Sequence, residues 1–126
     1  MVFIYLMENI KKKFATYLND PVYPTEEQEK KEMWNISGIL KNHSNQHLKF
    51  DIRPMFKLAT GQPAKEGKTT SKADKIVFED VDKWIIVDMK ELIKYIKRKK
   101  QNRLELVDLL DELDWNIILP KEANGN

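Results

Sequence analysis

Residues 84–87, Trp-Ile-Ile-Val, form an uninterrupted apolar run with a charged residue on either side. The run is short and rich in β-branched and aromatic side chains, which favours a strand. A strand that is apolar on both sides must be covered on both faces of its sheet. From Met89 onward the apolar spacing changes to three and four, which predicts a helix directly after the strand. The chain is therefore expected to fold as a sheet with helices packed against it, an α/β (α+β) architecture.

Apolar periodicity elsewhere completes the predicted element order. The predicted helices cover residues 3–18, 25–40, 89–98 and 104–113, and the predicted strands cover 48–58, 76–78, 84–87 and 115–119. The order is α-α-β-β-β-α-α-β, with a small mixed sheet of about four strands. Pro54 lacks an N–H group, so the first of these strands is expected at an edge or with a bulge. The three middle strands are expected to form an antiparallel meander, with the last strand parallel to its neighbour.

The length of 126 residues is typical of one domain, which is expected to span residues 1–121. Residues 59–73 have no apolar periodicity and are expected to form a mobile loop. Residues 122–126 are expected to be a disordered tail. The absence of cysteine excludes disulfides and thiol chemistry, and no apolar run is long enough to span a bilayer. The protein is therefore expected to be cytoplasmic and not bound to a membrane.

Basic residues are concentrated in the middle of the chain. Residues 51–100 contain 13 Lys/Arg and 8 Asp/Glu, whereas the chain as a whole has a net charge of only +2. A basic segment of this kind is typical of a surface that binds the phosphates of DNA or RNA. The candidate contacts are Lys65, Lys68, Lys72, Lys94, Lys97 and Arg98. Ordinary solvated lysines are the alternative interpretation.

An acidic pair with a lysine is the most specific candidate for chemistry. Asp74 precedes one strand of a predicted hairpin, and Asp88 and Lys90 follow the other strand. The start of one hairpin strand lies beside the end of the next, so these groups are expected at one end of the sheet. Two carboxylates at one point bind Mg²⁺ or Mn²⁺, and a lysine beside them orients a water for phosphodiester hydrolysis.

The stretch Ala73-Asp74-Lys75-Ile76-Val77 … Asp88-Met89-Lys90 resembles the signature of the PD-(D/E)XK nuclease superfamily, in its RecB-like form. That resemblance implies a Mg²⁺-dependent nuclease with Asp74, Asp88 and Lys90 as catalytic residues. It also implies metal binding by Asp74 and Asp88, joined by a glutamate of the preceding helix, Glu32 or Glu29. The superfamily core of helix, three strands, helix and strand matches the predicted order over residues 25–119. Ala73 departs from the usual proline before the aspartate.

Other interpretations compete with catalysis. Asp88 and Glu91 form an acceptable capping box for the helix that begins at Met89, which is a purely structural role. His43 and His47 are four residues apart, a spacing that can bind zinc, although no carboxylate supports them. The alternative function is a non-catalytic regulatory module, of phage or mobile-element type, that binds a nucleic acid or a protein. A protein partner or a homodimer is the third hypothesis, since two of the predicted helices have apolar faces.

Overall fold

The computed structural model describes residues 2–54, 71–99 and 116–121 of the chain. The α/β class is confirmed, but the sheet has six strands where about four were expected. In chain order the elements are α1 (Val2–Ala15), β1 (Leu18–Val22), α2 (Glu26–Glu32), β2 (Ile36–Leu40), β3 (His47–Arg53), β4 (Lys75–Glu79), β5 (Lys83–Asp88), α3 (Met89–Lys99) and β6 (Asn116–Pro120).

The six strands lie in the sheet in the same order as in the chain, from β1 at one edge to β6 at the other. All neighbours are antiparallel except β3 and β4, which are parallel. The expected antiparallel pairing of these two strands is therefore wrong, because the long connection after Arg53 brings the chain back to the end where β3 begins. The expected parallel last strand is also wrong. Asn116 lies opposite Val87, so the chain after α3 returns to the end where β5 finishes.

Both faces of the sheet are covered by a helix, as the apolar run at residues 84–87 predicts. Trp84 and Ile86 of β5 pack in one core with Phe14 of α1. Ile85 and Val87 point to the other face, where they pack with α3. The side chains of neighbouring residues in a strand alternate between faces, so one strand contributes to two cores. The hairpin of β4 and β5 and the helix after it are therefore as predicted.

The helix predicted over residues 25–40 is half wrong. Its N-terminus is as expected, because Thr25 and Gln28 form a complete capping box. The helix ends at Glu32, where Met33 adopts a left-handed conformation with φ 60° and donates its N–H to the helix. Residues 36–40 form β2 instead. Ile36 and Leu40 share one face in a strand as well as in a helix, so a spacing of four does not distinguish the two structures.

The expected edge position of the strand after residue 47 is wrong as well. β3 lies between β2 and β4, in the interior of the sheet. It ends at Arg53, one residue before Pro54, so the proline is not needed as a donor in the ladder. The edges are β1 and β6, and β1 contains Pro21 and a register shift. The helix predicted over 3–18 ends at Ala15, and β1 begins at Leu18.

Some predictions lie outside the described residues. These are the helix at 104–113, the tail at 122–126 and most of the loop at 59–73. No helix in the described part of the chain is both long enough and apolar enough to cross a membrane.

Candidate functional site

Asp74 and Asp88 lie at the same end of the sheet, but their side chains contact different partners. The register of the hairpin places Lys75 directly opposite Asp88, so Asp74 lies one residue beyond this pair. The Asp74 carboxylate is directed towards β3, where its Oδ2 atom accepts a hydrogen bond of 2.8 Å from the backbone N–H of Lys49. Asp88 belongs to β5, on the opposite side of β4. The structure thus does not bring these two carboxylates together through any recorded contact.

Asp88 has two structural contacts. Its Oδ1 atom lies 2.7 Å from the ammonium nitrogen of Lys75, whose side chain is only 10% exposed. Its Oδ2 atom accepts a hydrogen bond of 3.1 Å from the backbone N–H of Glu91, in the first turn of α3. Asp88 therefore caps α3, the structural role expected from the sequence, and also neutralises a buried lysine. Lys90 is exposed in the same turn of α3.

Asp74 connects three strands through its backbone and side chain. Its N–H donates to the carbonyl of Lys49 on β3, and its carbonyl accepts from the N–H of Met89, the first residue after β5. Together with the hydrogen bond from the Lys49 N–H to the Asp74 carboxylate, these bonds continue the pairing of β4 with β3 on one side and with β5 on the other. The same side chain remains exposed to solvent.

Glu32, the candidate metal ligand from the preceding helix, is held elsewhere. Its Oε1 atom accepts a hydrogen bond of 2.9 Å from the indole N–H of Trp34 and lies 3.5 Å from the ammonium nitrogen of Lys49. Glu29 lies 2.7 Å from the ammonium of Lys11, which is nearly buried. No group of three or more Asp, Glu or His side chains within residues 2–54, 71–99 and 116–121 is arranged to hold a metal ion.

The contacts of Glu32 predict a measurable titration. The hydrogen bond from Trp34 lowers the pKa of the Glu32 carboxyl below its ordinary value of 4.5, and the charge of Lys49 acts in the same direction while partial desolvation opposes it. A carboxyl with a lowered folded-state pKa stabilises the fold above its ordinary pKa, and this contribution is lost as the pH falls through the folded value. Trp34→Phe, which removes the N–H donor, is expected to raise the pKa of Glu32. Carboxyl titration by NMR measures this, and an unchanged pKa contradicts the assigned cause.

The two histidines do not form a shared site. The Nε2 atom of His47 lies 2.9 Å from the hydroxyl of Ser37 on the neighbouring strand. His43 lies in the turn between β2 and β3, where it lines an open cavity of about 440 Å³. The other lining residues are Ser44, Asn45, Gln46, Leu48 and Lys75. The side chains around this cavity are mostly polar.

A second charged pair is buried on β3. The Nη2 atom of Arg53 lies 2.8 Å from Oδ2 of Asp51, and the two side chains are 5% and 9% exposed. The hydroxyl of Ser71 donates to the same carboxylate at 3.3 Å. Both side chains belong to β3 and are almost completely buried, so the pair is not open to a ligand from solvent.

The basic side of α3 carries four exposed cations on one element. Met89, Leu92 and Tyr95 are at most 3% exposed and anchor the helix on the sheet. The exposed side is lined by Lys90, Lys94, Lys97 and Arg98, which we call the α3 basic face. The guanidinium carbon of Arg98 lies 5.7 Å from the ring centre of Tyr95. Of the other predicted phosphate contacts, Lys72 is exposed, and Lys65 and Lys68 lie outside the described residues.

Sequence reasoning missed Lys75 and Lys49, the two residues that hold the acidic pair in place. A signal for Lys75 was present, because counting outward from the predicted turn at residues 80–83 pairs Lys75 with Asp88. No comparable signal existed for Lys49, whose contact with Asp74 depends on the parallel pairing of β3 with β4.

A scan against protein-family models finds no family that matches the chain. Searches of curated proteins and of solved structures find no significant match either.

Proposed function

We propose that this protein is a non-catalytic module that binds a nucleic acid through the α3 basic face. The observation that carries the proposal is the placement of four exposed cations along one side of an 11-residue helix. A stripe of Lys and Arg on one side of a helix is typical of surfaces that contact phosphates.

The rigidity of α3 supports this function. The helix is fixed at its N-terminus by the Asp88 cap and along its length by Leu92, which is completely buried. Its cations are therefore displayed on a fixed frame, which lowers the entropic cost of binding a regular ligand.

The ion pairs among the described residues leave the lysines of the α3 basic face available to a ligand. Lys11, Lys83 and Lys121 each lie within 4 Å of a carboxylate. Within the described part of the chain, no ion pair is recorded for Lys90, Lys94 or Lys97. Cations that are not neutralised internally retain their charge for a phosphate.

The contacts of the acidic pair favour binding without cleavage. Asp88 is already engaged by Lys75 and by the first turn of α3, and Asp74 by the backbone of β3. A nuclease mechanism would require both carboxylates to leave these contacts for a shared metal ion. The nuclease activity implied by the resemblance to PD-(D/E)XK nucleases nevertheless stays a prediction, and the cleavage experiment below tests it.

The double variant Lys90→Gln/Lys94→Gln is expected to weaken binding to labelled duplex DNA at low salt by at least about tenfold, because two phosphate contacts are lost. Fluorescence anisotropy measures the affinity. The matched control is Lys12→Gln/Lys13→Gln, which removes the same charge from exposed positions on α1, across the sheet. Equal loss in both variants would show that only net charge matters and would contradict the assigned surface.

The same samples test catalysis. Wild-type protein is expected to leave plasmid and linear DNA intact with Mg²⁺ or Mn²⁺. Metal-dependent cleavage that disappears in Asp88→Ala, with retained binding, would replace the non-catalytic proposal by the nuclease hypothesis.

A further inference from the structure

We infer that the ligand of the α3 basic face is B-form duplex DNA, held by its two phosphate backbones without readout of the base sequence. This inference rests on the function proposed above and adds to it the class of nucleic acid and the mode of contact.

The chemistry of the face points to phosphates. Three of its four side chains are lysines, which bind phosphate as point charges on flexible stems. The helix contains no Asn or Gln, the side chains that read adenine through a bidentate pair of hydrogen bonds. The arginine of the face, Arg98, has its planar group near the ring of Tyr95, which restricts its orientation. Phosphate contacts position a protein on DNA but carry no sequence information.

The dimensions of the helix fit a B-form groove. Lys90 and Arg98 are eight residues apart, a separation of about 12 Å along the helix axis. The major groove of B-DNA is about 12 Å wide and accepts an α-helix. Cations at the two ends of α3 are therefore spaced to meet the phosphates that flank the groove. The major groove of A-form RNA is too narrow for the same approach.

The aromatic residues disfavour single strands. Proteins that bind single-stranded nucleic acids stack the bases on exposed aromatic rings. Tyr95, the aromatic residue of α3 in this region, is 3% exposed. Among the side chains whose exposure the structure describes, Tyr23 is the one exposed aromatic ring, and it follows β1 at the edge of the sheet distant from β4 and β5, where α3 packs. The α3 basic face therefore offers no stacking platform in the described part of the chain.

The test compares four labelled probes of equal length by anisotropy at low salt. They are two DNA duplexes of unrelated sequence, one single-stranded DNA and one RNA duplex, each about two helical turns or 20 nucleotides long. The DNA duplexes are expected to bind with affinities within about twofold of each other. The single strand and the RNA duplex are expected to bind at least about tenfold more weakly.

The salt dependence supplies the second readout. Four phosphate contacts predict a slope of log K against log salt of about −3.6, and Lys90→Gln/Lys94→Gln is expected to reduce its magnitude by about 1.8. This inference would be overturned if single-stranded DNA or duplex RNA bound as tightly as duplex DNA. It would also be overturned by a strong preference for one of the two DNA sequences. Either result would still agree with the proposed nucleic-acid binding. Failure of all four probes to bind would overturn the proposed function as well.

Discussion

Replacing Trp84 by alanine is expected to lower the free energy of unfolding by about 3–5 kcal/mol, the usual cost of deleting a large buried aromatic side chain. Trp84 is 1% exposed and packs in the core between the sheet and α1. The ring centre of Trp84 lies 5.5 Å from the ring centre of Phe14 and 5.1 Å from the ammonium nitrogen of Lys121. The substitution therefore removes a ring–ring contact, a cation–π contact and the volume between them.

Urea denaturation followed by circular dichroism measures this loss. Trp84→Phe keeps an aromatic ring at the site and is expected to lose clearly less than alanine. The control is Val81→Ala in the turn before β5, where the side chain is 74% exposed and the expected change is within about 0.5 kcal/mol. A loss below about 1 kcal/mol in Trp84→Ala would contradict the described core.

Replacing Asp51 by alanine is expected to destabilise the fold by a similar amount, about 3–5 kcal/mol. The substitution removes a carboxylate that lies 2.8 Å from a buried guanidinium group on Arg53. Moving a cation into a low-dielectric interior costs several kcal/mol, and a counter-charge offsets that cost. The hydroxyl of Ser71 loses the carboxylate as an acceptor and keeps the carbonyl of Met33, at 3.1 Å.

A double variant separates the charge effect from packing. Asp51→Val/Arg53→Met removes both charges and is expected to be less destabilised than Asp51→Ala alone, because no charge is left in the interior. The surface control is Glu27→Ala, which breaks the exposed pair with Lys31 on α2 and is expected to cost no more than about 0.5 kcal/mol. Equal stability of Asp51→Ala and Glu27→Ala would contradict the burial of the β3 pair.

The local parts of the fold were predictable from the sequence. The continuous apolar run at residues 84–87 required cover on both faces, and α1 and α3 supply it. The cap of α2 was visible as Thr25 and Gln28. Two features were not predictable. At residues 36–40 the apolar spacing fits a helix and a strand equally well. The direction of strand pairing depends on long connections, whose sequences carry no local pattern.

The candidate site was predictable in position but not in geometry. Asp74 and Asp88 lie at one end of the sheet, as the hairpin required. Their side chains go to different partners because Lys75, not Asp74, is opposite Asp88, and because β3 offers a backbone N–H to Asp74. The exposed cations of α3 followed directly from helical periodicity, since position on a helix alone determined which lysines face solvent.

The sheet order has a consequence for how the chain folds. Because every strand pairs with its neighbour in sequence, β1–β3 and β4–β6 are two antiparallel meanders joined by the single parallel pair β3/β4. The hairpin of β4 and β5 joins residues close in sequence and forms rapidly, whereas the pairs β3/β4 and β5/β6 must first close long connections, as between Phe50 and Lys75 and between Val87 and Asn116. We expect the closing of these two connections to limit the folding rate. Phe14 of α1 contacts Phe50 of one meander and Trp84 of the other, so α1 is placed to hold the two meanders together.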